Sequence, residues 1–468
     1  MADLTWDGRR CDLLLTGGSV VTVDEERAVF DPGAVAIAGD RIVAVGPAED
    51  LAGLDATRTV DCSGRAVIPG FTDCHNHLFQ FLTRGLGEGM ELWPWLSDFM
   101  WPVATSITRD EAVASVRLGA LEAVKAGTTA IVDNHYAPTD LETTLAVAAA
   151  IEAVGLRGVV ARGMTGEVTD VARELNLERG MFPYSLAEEV SITREAIEAR
   201  LGSLVGVWPA PLNVIYVAQD LVRAAAGLAR ELGTAWHAHC CEFRTDPVTY
   251  PAHYGASAVD WLHDEGLLGE RTTLAHMIFL SDREVERVGA TGTGVAYCPI
   301  SHEYIGLGVM RLRGLRDAGA VVGIGYDGAS GHRQDMFEQM KQGILLQRVQ
   351  TLDPTVSRVE EAFELATREG ARYLGSGAGV LAAGRPADLA VVRLRRPHTT
   401  PSHRTVSTLV YAARPSDVEM TIVNGRIVVE GGRSTTVDED EVIATATAAS
   451  RRLIERCGLG GLLDPWRR

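Results

Sequence analysis

From about residue 70 to about residue 380, short apolar runs alternate with longer amphipathic ones. Thr129–Val132, Gly158–Arg162, Ala235–His239, Thr273–Ala275, Gly294–Tyr297 and Val321–Gly325 read as strands, and Arg109–Ala126 and Arg311–Ala318 as helices between them. Strands this apolar must be covered on both faces, and helices joining consecutive parallel strands do that. Sustained over such a length, the alternation predicts an α/β chain closed into a (β/α)₈ TIM barrel rather than a doubly wound sheet. Reactive side chains in a barrel project from the C-terminal strand ends, so those ends are where chemistry is sought.

The flanks have a different texture. Cys11–Thr16, Ser19–Val23, Ala34–Ala38 and Arg41–Val45 are β-rich and separated by Gly-Gly, Asp-Pro-Gly and Gly-Asp turns. Ala387–Arg393, Thr405–Tyr411, Met420–Val423 and Arg426–Val429 repeat that character, with a hairpin signal at Asn424-Gly425. Two such segments at opposite ends are expected to pair into one small β-sandwich. The predicted division is 1–68 and 381–436 for the sandwich, 69–380 for the barrel, and 437–468 for a helix and tail. Glu439 to Cys457 has helical spacing and stops at Gly458.

Four of the predicted strand ends carry metal-ligand chemistry. Pro69-Gly70-Phe71-Thr72-Asp73-Cys74-His75-Asn76-His77 puts two histidines at i and i+2, on one side of a strand. His237-Ala238-His239-Cys240-Cys241-Glu242 closes another strand and offers one further imidazole, with Glu242 placed as a proton shuttle. His276 ends a third, and Asp327 follows a fourth within Gly323-Ile324-Gly325-Tyr326-Asp327-Gly328-Ala329-Ser330. Each alone is an ordinary strand-end residue. In ordered succession around a barrel they describe a hydrolytic metal centre.

Charge and cysteine content narrow the class. A net charge of −18 disfavours nucleic acid and anionic membrane surfaces as partners. No run is apolar enough to span a bilayer, and Met1 to Leu15 lacks the pattern of a secretion signal. The 7 scattered cysteines show no paired spacing, which predicts free thiols and a cytoplasmic enzyme.

On these motifs the chain resembles the amidohydrolase superfamily, in the branch of cytosine-, guanine- and adenosyl-type deaminases and s-triazine hydrolases. Val207-Trp208-Pro209-Ala210-Pro211, Gly384-Arg385-Pro386-Ala387-Asp388-Leu389 and Arg396-Pro397-His398-Thr399-Thr400-Pro401 extend the likeness nearly end to end. The resemblance implies His75, His77, His239 and Asp327 as metal ligands, and Glu242, His276 and Asp327 as catalytic groups. It implies one divalent ion per chain, zinc before ferrous iron. Binuclear relatives use a barrel-strand lysine. The two lysines, Lys125 and Lys341, lie in helical runs, so the mononuclear type is expected. Ser301-His302-Glu303 and Ser330-Gly331-His332 depart from the Ser-Asn pairs frequent in that branch.

The implied reaction adds hydroxide, formed at the metal, to the carbon of an aminated N-heteroaromatic ring (purine, pyrimidine, nucleoside or s-triazine-like). Ammonia or an amine leaves. A chlorohydrolase, a cyclic-amide hydrolase and a non-catalytic metal-binding homologue are the alternatives. Substrate contacts are expected from Gln80, Trp93, Asn134, His135, Arg162 and His302, with Trp95, Phe99 and Trp101 mostly packing their loop. Cys240 and Cys241 are read as packing residues, and His253, His263, His332, His398 and His403 receive no role. A homo-oligomer is carried over from the resemblance alone.

Overall fold

The computed structural model describes residues 8–177, 180–328 and 332–463. Ala329, Ser330 and Gly331 of the predicted Asp-Gly element and its neighbouring departure lie outside the described residues.

The N-terminal segment forms β1 (Arg10–Val21), β2 (Val29–Ala38), β3 (Arg41–Pro47), β4 (Asp55–Asp61) and β5 (Arg65–Pro69). The eight central strands follow: β6 (Phe71–Asn76), β7 (Thr128–His135), β8 (Arg157–Met164), β9 (Val205–Pro211), β10 (Trp236–Cys240), β11 (Thr272–His276), β12 (Gly294–Tyr297) and β13 (Val321–Ile324). The chain then adds β14 (Leu389–Arg393), β15 (Val418–Val423), β16 (Arg426–Glu430) and β17 (Arg433–Ser434).

β6–β9 and β10–β13 form two four-stranded parallel sheets. Two bridges join them, Asn76 to Asp327 and Asn213 to His239. Asp327 N–H donates to His75 O at 2.7 Å, and Val214 N–H to His239 O at 3.0 Å. The barrel therefore closes through the backbone of the residues singled out as ligands. Gly323 and Gly325 permit the tight seam between β13 and β6. A Cβ at Gly323 would lie 2.3 Å from Cys74 Sγ, and one at Gly325 would lie 2.9 Å from His75 Cβ.

The terminal strands make one nine-stranded sheet, ordered β17-β16-β15-β14-β5-β1-β2-β3, with β4 also on β1. The expected sandwich is thus a single sheet that curls on itself. At its far corner Ala387 N–H donates to Asp40 O at 2.9 Å and Ile42 N–H to Arg385 O at 2.9 Å. Leu15, Val35, Ile37, Val67, Leu389, Val391 and Ile422 fill the curl with one apolar core. Cys11–Thr16 and Ser19–Val23, expected as separate strands, belong almost entirely to the continuous β1.

One expected strand is a helix. Thr405–Tyr411 has β-branched composition, yet it is helical and buries Leu409 and Val410 against the helices Met336–Thr351 and Val359–Ala366. Packing on two helices outweighs its local preference. The expected C-terminal helix is present as Glu439–Arg456, docked on the helix Arg109–Lys125. Lys125 pairs with Glu439 across that contact at 2.6 Å, far from any role as a bridging ligand.

Candidate active site

His75 and His77 leave β6 on one side, and both Nε2 atoms stand 3.2 Å from Asp327 Oδ1. His239, from the end of β10, brings its Nε2 to 3.2 Å from that of His77. Ligand atoms of His75, His239, His276 and Asp327 all lie within 4.8 Å of one another. His276 and Asp327 adopt left-handed backbone with φ of 75° and 67°. That conformation is costly for residues with a Cβ and is held here by the barrel closure around it.

The hydrogen bonds fix which nitrogens face inward. His77 Nδ1 donates to Asn134 O at 2.7 Å, and His239 Nδ1 donates to Leu212 O at 2.6 Å. A carbonyl only accepts, so both Nε2 atoms are bare in the neutral rings. Two lone pairs and a carboxylate oxygen about one contact apart repel unless a cation lies among them. His75 Nε2 and His276 Nε2 are buried and make no hydrogen bond. Donor type, convergence and orphaned nitrogens fit a divalent metal ion.

Electrostatics agree. Burial holds His75 and His276 well below the usual imidazole range, and burial, then the charge of His77, lowers His239 to about 4. Burial thus favours the neutral form of these three rings. Burial works to raise Asp327, but His276, His75 and His77 outweigh it and keep the carboxylate well below its ordinary range. Ser301 donates its hydroxyl to Asp327 Oδ2, leaving Oδ1 to the histidines.

Glu242 stands outside the donor set, with Oε1 3.5 Å from His276 Nε2. Burial, then the charges of Asp327 and Asp246, push it well above the ordinary carboxylate range. Asp246 Oδ2 accepts the backbone N–H groups of Glu242 at 2.8 Å and Phe243 at 2.9 Å, anchoring this turn.

A cleft opens onto these groups and is lined by His77, Gln80, His239, Glu242 and Asp327 among others. Gln80 donates from Nε2 to Tyr136 Oη at 2.8 Å, and its Oε1 has no partner.

Four other expected substrate contacts, and His302, fall outside the lining. Trp93 packs edge-on against Tyr216 and Phe243, while Trp95 and Trp101, expected mostly to pack the loop, face the cleft. Asn134 accepts from His77 through its backbone O and donates from Nδ2 to Ala161 O, and His135 donates from Nε2 to Pro138 O. Arg162 is fully buried and bound to Glu189 at 2.7 Å, turned away from the mouth. His302 sits behind His276, its Nε2 3.2 Å from His276 Nδ1. His332, given no role from sequence, lines the cleft, as do Tyr136, Asn213, Tyr216, Ser301 and Tyr304. Ser301 and His332 carried a sequence signal, lying in the Ser301-His302-Glu303 and Ser330-Gly331-His332 segments that depart from the Ser-Asn pairs.

Comparison with known proteins matches residues 66–428 to the model of the Amidohydrolase family. A 5-methylthioadenosine/S-adenosylhomocysteine deaminase of Pelotomaculum thermopropionicum is 33% identical over 451 residues, 95% of this chain and 99% of its own. A 5'-deoxyadenosine deaminase of Methanothermobacter thermautotrophicus is 32% identical, over 94% of this chain and 98% of its own. Among solved structures, an adenosine deaminase from Xanthomonas campestris with bound zinc superposes with a TM-score of 0.87 at 26% identity, covering 96% of this chain and 99% of its own. The zinc complex of atrazine chlorohydrolase from Arthrobacter aurescens shares the fold, with a TM-score of 0.85 at 23% identity over 94% of this chain and 100% of its own.

Proposed function

This chain belongs to the amidohydrolase family, and from that we propose that it is a zinc-dependent deaminase of adenine nucleosides. It is a metal-dependent hydrolase acting on a C–N bond. The adenine ring is supported by the names of its relatives, which act on adenosine-like compounds. The observation that carries the reading is the buried Glu242 beside Asp327 and the converging rings of His75, His77, His239 and His276.

His75, His77, His239 and Asp327, with His276 in reach, would hold a zinc ion, which would supply Lewis acidity and lower the pKa of water. Glu242 donates its proton from Oε1 to the ring nitrogen beside the aminated carbon, making that carbon electrophilic. Asp327, steadied at Oδ2 by Ser301, takes the proton of the attacking water at Oδ1 and passes it to the departing amine. The C–N bond breaks, ammonia leaves, and the added hydroxyl returns its proton to Glu242 as it becomes the ring carbonyl. Gln80 Oε1, buried and unpaired at the cleft wall, is an acceptor available to an N–H of the substrate. All seven cysteines are free thiols, which supports a reducing, cytoplasmic setting.

The test is ammonia release by zinc-replete protein from adenosine, 5'-deoxyadenosine, aminated pyrimidines and amino-triazines. Release from the adenine nucleosides supports the assignment. Release only from another ring class refutes it.

A further inference from the structure

Behind His276, among the described residues, a second set of donor atoms converges. His276 ends β11, Cys298 follows β12, and His302 lies in the short helix Pro299–Ile305. The spacing is Cys-x₃-His, and His302 N–H donates to Cys298 O at 3.0 Å, so one helical turn brings the two residues onto one face. One ligand atom from each of His276, Cys298 and His302 lies within 4.8 Å of the others. All three residues are buried.

Their chemistry suits a metal. His276 Nδ1 and His302 Nε2 are 3.2 Å apart. Two nitrogens bound to one tetrahedral zinc ion stand about 3.3–3.4 Å apart at its usual bond length. Cys298 is a free thiol whose Sγ reaches Ala296 O at 3.9 Å, a contact given up at little cost. A thiolate with two imidazoles favours zinc or cadmium over magnesium or calcium. His276 stands in both donor sets. Its Nε2 faces Glu242 Oε1 at 3.5 Å, and its Nδ1 faces His302. With Nε2 bare, Nδ1–H donates to His302 Nε2, and the His302 proton stays on Nδ1, which is buried without a hydrogen-bond partner.

We propose that His276 Nδ1, Cys298 Sγ and His302 Nε2 form a second site, for a thiolate-binding divalent cation such as zinc or cadmium, and that filling it withdraws His276 from the first donor set. On binding, the Cys298 thiol gives its proton to solvent, and the His276 proton moves from Nδ1 to Nε2. The imidazole stays neutral, but the nitrogen that faced the first site now carries hydrogen and is no ligand. Excess metal therefore inhibits a protein that works with one ion. The inhibitory half rests on the deaminase reading, and the binding half does not.

The experiment titrates Cd²⁺ into the full chain already loaded with one zinc per chain. One further cadmium should bind, with an ultraviolet thiolate-to-cadmium absorption band. The first site holds no thiolate, so cadmium exchanged into it gives no band. Cadmium-edge X-ray absorption on wild type should show one sulfur neighbour. Cys298→Ser should abolish the band, and His302→Asn should weaken binding at least about 10-fold, the least that losing even a ligand's support costs. Ammonia release should fall at least about tenfold as the band grows, and Cys298→Ser should escape that inhibition. Absence of the band overturns the site. So does a band that survives in Cys298→Ser with two sulfur neighbours, the signature of Cys240 and Cys241, whose sulfurs are 3.6 Å apart. A Cys298-dependent band with undiminished ammonia release overturns the link through His276. If nothing releases ammonia, the deaminase assignment falls and the band still decides the site.

Discussion

His237 Nε2 stands 2.9 Å from His75 Nδ1, and the far side of the His237 ring meets Thr273 Oγ1 at 3.0 Å and Tyr373 Oη at 3.2 Å. His237 is thereby placed to orient His75, whereas His239 brings its own Nε2 into the candidate metal site. His239→Ala should lose its zinc to a competing chelator under conditions where wild type keeps it. His237→Ala should retain zinc with affinity weakened about 10- to 100-fold, as befits a partner of a ligand. Metal content after chelator titration separates the two, and equal losses would contradict this division.

Glu242→Gln keeps side-chain shape but has no proton to give. Metal content should stay at the wild-type level while kcat falls about 10²- to 10⁴-fold. Stopped-time ammonia assays with parallel metal analysis check this, and near-normal kcat would remove Glu242 from the chemistry.

Asp246 offers a pH signature. Burial raises its pKa to about 7, and its Oδ1 is unpaired. An unfolded aspartate releases its proton near pH 4, so between about pH 4 and 7 the folded chain binds the extra proton. Stability from this group is present below pH 4 and is lost as pH rises through 7. Asp246→Asn keeps an acceptor for the Glu242 and Phe243 N–H groups without that loss. Its Tm relative to wild type should therefore climb from pH 4 to 7 and level off above, as read by thermal melts across the range.

Arg162 bears on the fold and not on substrate. Its guanidinium donates to Glu189, Thr193 Oγ1 and Thr139 O, and Glu189 in turn accepts the N–H groups of Thr165 and Gly166. Arg162→Met strands a buried carboxylate and should cost about 3–5 kcal/mol in urea unfolding. KM of the folded fraction should stay within about twofold of wild type. A large rise in KM with unchanged stability would return Arg162 to the cleft.

The ligands were readable because a strand repeats every two residues: His75 and His77 must share a side, and a barrel presents strand ends together. The same period could not choose between His237 and His239, which also share a side. Depth along the strand separates them, and depth depends on the neighbouring β11 and on Tyr373. The aromatic loop was opaque for another reason. Leu78–Thr83 and Leu92–Ser106 are largely helical, with a wide π-helical turn at Trp95–Met100. That turn sets which rings face inward, so Trp95 and Trp101 reach the cleft and Trp93 does not. Arg162 misled because a strand-end arginine looks free until the helix Leu186–Ala199 supplies Glu189.

The pairing of β5 with β14 joins residues made far apart in time. Synthesis proceeds from the N-terminus, so β1–β5 emerge roughly half a minute before β14 at ordinary elongation rates. During that interval the backbone edge of β5 has no partner, and an unpaired edge invites other chains to dock. The nascent protein is therefore open to aggregation while its barrel is being translated, and this edge of β5 is covered only once β14 has been made.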